Sequence, residues 1–101
     1  MPRISTEDAG RWLNNVPDEY VFRCRDGKVF KNMQELEQAL VNMTDESFAF
    51  HVDDHHNDFH NWVRDIIKDE KLARDLAKSR SRSQATVSVS RRLAFLRDRL
   101  Q

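Results

Sequence analysis

The chain predicts an α+β fold, predominantly helical, with about five short helices packed on a two-stranded antiparallel hairpin. Three observations lead there. Of 101 residues only 2 are Gly and 2 are Pro, while 34% are charged and 39% hydrophobic, a composition that suits helices with solvated outer faces. Apolar residues recur at helical spacing along most of the sequence. One stretch, Tyr20 to Phe30, alternates instead with the two-residue period of a strand. At this length a single domain over residues 1–101 is expected, with about 65% of the unfolded surface hidden on folding. That allows one core and leaves little room for a deep cavity.

Each element follows from local chemistry. Ser5 is an N-cap, and Glu7 and Asp8 behind it suit the positive end of a helix dipole. Ala9, Trp12, Leu13 and Val16 then share one helical face, and Pro17 ends the helix. Tyr20, Phe22 and Cys24 alternate with Val21, Arg23 and Arg25 as a strand would. Asp26-Gly27 makes the tight turn, because Gly supplies positive φ, and Lys28-Val29-Phe30 returns as a second strand. Asn32 and Glu35 form a capping-box pair ahead of Met33, Leu36, Leu40 and Met43. Thr44 caps again. Residues 47–52 fit either period, and the cap before them favours a helical turn. Phe59, Trp62, Val63, Ile66 and Ile67 make the strongest apolar stripe, started by Asn57 or Asp58. After Asp69 comes another amphipathic stretch through Leu72, Ala73, Leu76 and Ala77. Residues 79–85, polar and unpatterned, read as a linker before a C-terminal helix over 86–100 with a seam of Val89, Leu93, Leu96 and Leu100. The expected core takes in Trp12, Leu13, Phe22, Leu36, Leu40, Phe59, Trp62, Val63, Ile66, Leu72, Leu76, Leu93 and Leu96.

Charge is unevenly spread within a net charge of zero. Residues 1–67 hold 7 Lys+Arg against 13 Asp+Glu, whereas residues 68–101 hold 10 against 4. Such a chain can fold its basic tail back on its acidic body, or present a basic face to an acidic partner or to nucleic acid. Cys24 is the sole cysteine, so no intramolecular disulfide forms and a reducing, cytoplasmic setting is expected. No apolar run reaches the roughly 18 residues of a spanning helix, and the N-terminus lacks the apolar stretch of a signal peptide, so no membrane role is expected.

Several pieces occur together in order: Phe22-x-Cys24-x-Asp26-Gly27, Glu35-Leu36-x-x-x-Leu40, Phe48-x-x-His51-Val52, Asn57-Asp58-Phe59-x-x-Trp62 and Asp69-x-x-Leu72-Ala73. In this ordered set residues 20–77 resemble a small uncharacterised prokaryotic domain family of unknown function. The resemblance implies a helical α+β domain and brings no activity with it. That pattern often carries a glycine just before the aspartate, where this chain has Lys68.

Candidate functional groups are few. His51, His55, His56 and His60 fall within ten residues, among Asp53, Asp54 and Asp58. Imidazole and carboxylate are ligands for zinc or nickel, and on a helix His56 and His60 would share a face, with His55 beside them as the third candidate ligand. The plainer account makes the same stretch a solvated acidic helix start, with the carboxylates as caps, and makes His51 a partly buried, hydrogen-bonded structural group. Cys24 could be a nucleophile with one of the downstream histidines as its base, but it sits on the apolar face with Phe22, where a thiol behaves as a small hydrophobe, and the sequence alone cannot place a base beside it. In the C-terminal helix Phe95 lies about 200° from Leu93, beside Arg91 and Arg92, which suggests a helix contacted on two sides. Arg91, Arg92, Phe95 and Arg99 are therefore the candidate partner-binding residues.

The leading reading is a non-catalytic interaction module that meets a protein partner, or a second copy of itself, through the C-terminal helix. The first alternative is a metal-binding protein using the His51–His60 cluster. The second is weak nucleic-acid binding through the basic C-terminal third, where no helix-turn-helix or aromatic platform is visible. No nucleophile, base and oxyanion donor combine into a catalytic set, and no small-molecule substrate is implied.

Overall fold

A computed structural model describes residues 4–100. Among them six α-helices surround a two-stranded antiparallel hairpin, so the fold is α+β and mostly helical, with one helix more than expected. The helices are α1 (Thr6–Leu13), α2 (Met33–Asn42), α3 (Asp45–His51), α4 (Asp58–Trp62), α5 (Glu70–Ala77) and α6 (Arg82–Arg99). The strands are β1 (Phe22–Arg23) and β2 (Val29–Phe30), paired Phe22 to Phe30 and Arg23 to Val29. No helix among the described residues is long and apolar enough to cross a membrane.

Side-chain caps start all six helices. Ser5, Asn32, Thr44, Asn57, Asp69 and Ser81 each accept from the backbone N–H three residues on, which satisfies an otherwise orphaned donor. Residues 47–52 do form a helix, α3, leaving only Val52 extended in a single bridge to Asn57.

Four local expectations change. Helix α1 stops at Leu13 rather than at Pro17, because Val16 turns away and donates its N–H to the Lys31 carbonyl at 2.7 Å beside β2. Tyr20 belongs to a 3₁₀ turn, Asp18–Tyr20, and is exposed, so the strand begins only at Phe22. The hairpin loop is Arg25-Asp26-Gly27, with Gly27 at φ 89°, its N–H on the Cys24 carbonyl, and Asp26 Oδ1 accepting from Lys28 N–H. The stretch 79–85 is not a linker. Ser81 caps α6 through Gln84 N–H while Gln84 Oε1 accepts from Arg80 N–H at 2.6 Å, so the helix starts at Arg82 rather than 86 and ends at Arg99.

The interior has an aromatic half and an aliphatic half. Phe22 stacks on Phe30 at 4.6 Å and on Phe59 at 5.1 Å, and Trp62 meets Phe22 and Phe30 edge-on. Trp62 Nε1–H donates to the Tyr20 carbonyl at 2.7 Å, which satisfies the one polar atom of the indole. Leu36 and Leu40 of α2, Leu72 and Leu76 of α5, and Val89, Leu93 and Leu96 of α6 fill the other half. Trp12, Leu13 and Ile66, expected in the interior, are half-buried at its edge, and Leu100 and Ala77 are exposed.

Between α4 and α5 the chain runs through a π-helical turn, Val63–Ile67, closed by Lys68 N–H on the Val63 carbonyl at 2.7 Å. Lys68 then takes the left-handed conformation, φ 70°, the only described residue other than glycine at positive φ. Lysine thus adopts the backbone geometry that glycine favours. The reversal delivers Asp69 into the interior, fully buried, as the cap of α5.

Candidate protein-binding groove

Helices α5 and α6 leave between them an open groove of about 1160 Å³. From α6 it is lined by Gln84, Val87, Ser88, Arg91, Phe95 and Arg99, which share one side of the helix, with Val87, Arg91, Phe95 and Arg99 four apart along it. From α5 and the turn after it come Lys71, Asp75, Lys78 and Ser79, and Ile4 closes one end. Val87 and Phe95, two of the exposed large apolar side chains, lie on its α6 wall. The stripe from Gln84 to Arg99 is about 22 Å long, four helical turns.

The floor is built by a buried ion pair. Arg92 forks onto Asp69, Nε to Oδ2 at 2.7 Å and Nη2 to Oδ1 at 2.9 Å, and both side chains are buried. Trp12 covers the guanidinium from α1 at 5.4 Å, and Phe95 covers it at 5.3 Å. Arg99 lies over the Phe95 ring in turn, at 4.8 Å. Arg92 lines the groove, but its side chain is buried and two of its donors, on Nε and Nη2, are engaged inward by Asp69, so of the four expected partner-contacting residues it is the one held in the floor. On the helical wheel it falls in the inner row Ala85, Val89, Arg92, Leu96, and that row was the signal the sequence offered for its burial.

Arg91, Phe95 and Arg99 stay exposed and adjacent. Of the groove's cations, Lys71 pairs with Asp75 at 2.5 Å, whereas Lys78, Arg91 and Arg99 have no carboxylate partner among the described residues. Elsewhere the basic third folds back as its charge balance predicts. Arg82 donates to Asp45 at 2.9 Å and to the Leu40 and Val41 carbonyls at the C-terminus of α2, where a cation suits the dipole.

The four histidines do not converge. His51 is buried; its Nε2 accepts from Arg25 N–H at 3.1 Å, so the proton sits on Nδ1, which faces Asp58 Oδ2 at 2.9 Å. His55 is exposed, with its backbone N–H on Asp53. His56 lies before α4 rather than on it, so it shares no helical face with His60. Its Nδ1 faces Asp53 at 2.8 Å and its Nε2 the Phe50 carbonyl at 3.2 Å. Partial desolvation opposes the charge on His56, but the Phe50 carbonyl and the Asp53 and Asp58 carboxylates outweigh it and raise the pKa. The His55 and His56 N–H groups, chiefly that of His55, hold the Asp53 carboxyl below its ordinary range. His60 Nδ1 donates to the Ala73 carbonyl at 2.7 Å. Among the described residues no group of three His, Cys, Asp or Glu is placed to hold a metal ion.

One juxtaposition was not legible in the sequence. Cys24 Sγ lies 3.6 Å from His51 Nε2, with Asp58 behind, the order of a nucleophile, base and orienting acid. The chemistry is blunted at each link. Burial raises the Cys24 pKa, and the Nε2 lone pair already accepts from Arg25. Neither the groove nor a shallow concavity of about 420 Å³ beside the hairpin is lined by Cys24 or His51. The trio ties the hairpin to α3 and the start of α4.

No protein-family model, curated protein or solved structure matches the chain.

Proposed function

We propose that the protein is an interaction module that docks a segment of another protein in the α5/α6 groove, without catalysis. The observation that carries this reading is the coincidence of exposed Val87 and Phe95 with Arg91 and Arg99 along one concave stripe four turns long. Exposed apolar and aromatic side chains rimmed by polar ones are the composition of protein-recognition surfaces, and aromatic and Arg residues dominate their energetic centres. A groove between two helices accepts a third helix by the same ridge-and-groove fit that packs helices in cores. The buried free thiol of Cys24 fits a reducing, cytoplasmic setting.

The test is an amide chemical-shift titration with an uncharged amphipathic helical peptide, leucine on one face and glutamine on the other. Shifts confined to the groove, around Val87, Phe95 and Lys78, and lost in a Val87→Ser, Phe95→Ala double variant, are the expected result. Shifts scattered over the surface, or none up to millimolar peptide, overturn it.

A further inference from the structure

We infer that the occupant of the groove is an acidic amphipathic helix from a different chain. This rests on the groove reading above and adds its charge and its source. Lys71, Lys78, Arg91 and Arg99 line the groove against the single carboxylate of Asp75, which Lys71 already neutralises at 2.5 Å. Three cations therefore remain without a carboxylate partner among the described residues, on both walls of one trough. Cations held on both sides of a partly apolar channel raise the local positive potential and select an anionic ligand.

The apolar part sets the ligand's shape. Val87 and Phe95 stand eight residues apart on α6, about 12 Å along its axis. A ligand helix with apolar residues at i and i+7 or i+8 matches that spacing, and carboxylates flanking its apolar stripe reach Lys78 on one wall and Arg91 and Arg99 on the other.

Two other occupants fit less well. A second copy joined about a twofold axis along α6 would set Arg91 and Arg99 against their own symmetry mates, and like charges face to face are unfavourable. Single-stranded nucleic acid binds by stacking bases on aromatic faces. Phe95 offers no such platform, because Arg92 and Arg99 lie over its ring from one turn on either side.

Three labelled helical peptides of about 16 residues test this, with identical leucine positions and with glutamate, glutamine or lysine on the polar face. Fluorescence anisotropy should show the glutamate peptide binding about tenfold tighter than the glutamine peptide, the lysine peptide weakest, and the gaps closing as salt rises. Arg91→Glu with Arg99→Glu, two exposed positions, should invert the order while the circular dichroism spectrum is unchanged. Equal binding of the glutamate and glutamine peptides overturns the charge inference and leaves the groove reading standing. Absence of binding by all three sinks both. Tighter binding of oligothymidine than of the glutamate peptide, or a concentration-dependent twofold mass in sedimentation, reassigns the groove to nucleic acid or to a second copy and overturns the inference.

Discussion

Replacing Arg92 by Met should be among the most damaging single changes available to this fold. Methionine keeps most of the aliphatic volume between Trp12 and Phe95 but removes both N–H groups from Asp69. The carboxylate is fully buried, and its remaining donor is the Leu72 N–H at a long 3.3 Å. Breaking a buried pair from one side costs about 3–5 kcal/mol, because the surviving charge has lost its counter-ion and cannot reach water. Against a total stability of about 5–15 kcal/mol, that is about a fifth or more of the margin. At this chain length the loss corresponds to a fall in Tm of at least about 12 °C. Urea denaturation followed by circular dichroism measures it. The control is Asp69→Asn with Arg92→Met, which keeps the cap on α5 and removes the stranded charge, and it should recover most of the loss. An Arg92→Met variant within about 1 kcal/mol of the parent, or a double variant no better than the single one, refutes the account.

Lys68→Gly should stabilise the protein by about 1 kcal/mol, since glycine holds φ 70° without Cβ strain; a destabilised variant would contradict the strain argument. Ser81→Ala should cost about 1 kcal/mol in the same assay by uncapping α6, whereas an inert substitution would mean that α6 starts elsewhere. Cys24 should react with iodoacetamide far more slowly in the native protein than in urea, because burial raises its pKa; a fast native reaction would bring the Cys24–His51–Asp58 trio back as an active centre. His56 should titrate above the ordinary 6.5 of a histidine, by nuclear magnetic resonance. A group whose pKa rises on folding contributes stability below its unfolded pKa and loses it as pH climbs through the folded one. The turn between α3 and α4 should therefore loosen from about pH 6.5 upward, and a His56 midpoint at or below 6.5 would contradict this.

Caps and periodicity made most of the helices legible. Asn32 with Glu35, and Thr44, stand out because each combines a short polar side chain with an apolar stripe behind it, while Asn57 and Asp58 side by side left the cap of α4 open between them until the structure placed it on Asn57. The start of α6 lies at Arg82 rather than 86 because Ser81 sits in an alternating Arg-Ser run, Ser79 to Ser83, that masks the capping pair, and the first large apolar residue, Val87, comes only beyond Gln84. The strands shrank to two residues each because Tyr20 is held by Trp62 through its carbonyl rather than by a neighbouring strand. Contacts across long stretches of chain were beyond pattern reading. Arg92 meets Asp69 and His51 meets Cys24 only once the fold closes, across 23 and 27 residues of chain, a separation that no local period encodes. Of the proposed binding residues, Arg91, Phe95 and Arg99 were visible as an anomaly, an aromatic on the far side of a leucine-bearing helix.

The stacking of Arg99, Phe95, Arg92 and Trp12 has a thermodynamic consequence for any ligand. A side chain clamped before the encounter has little rotational freedom left to surrender on association, where each newly immobilised side chain otherwise subtracts about 0.5–1.5 kcal/mol. Phe95 therefore presents a preorganised anchor, and loosening the clamp from below, with Trp12 replaced by Leu, should weaken the complex by speeding its dissociation even though Trp12 lies beneath the guanidinium rather than on the groove wall.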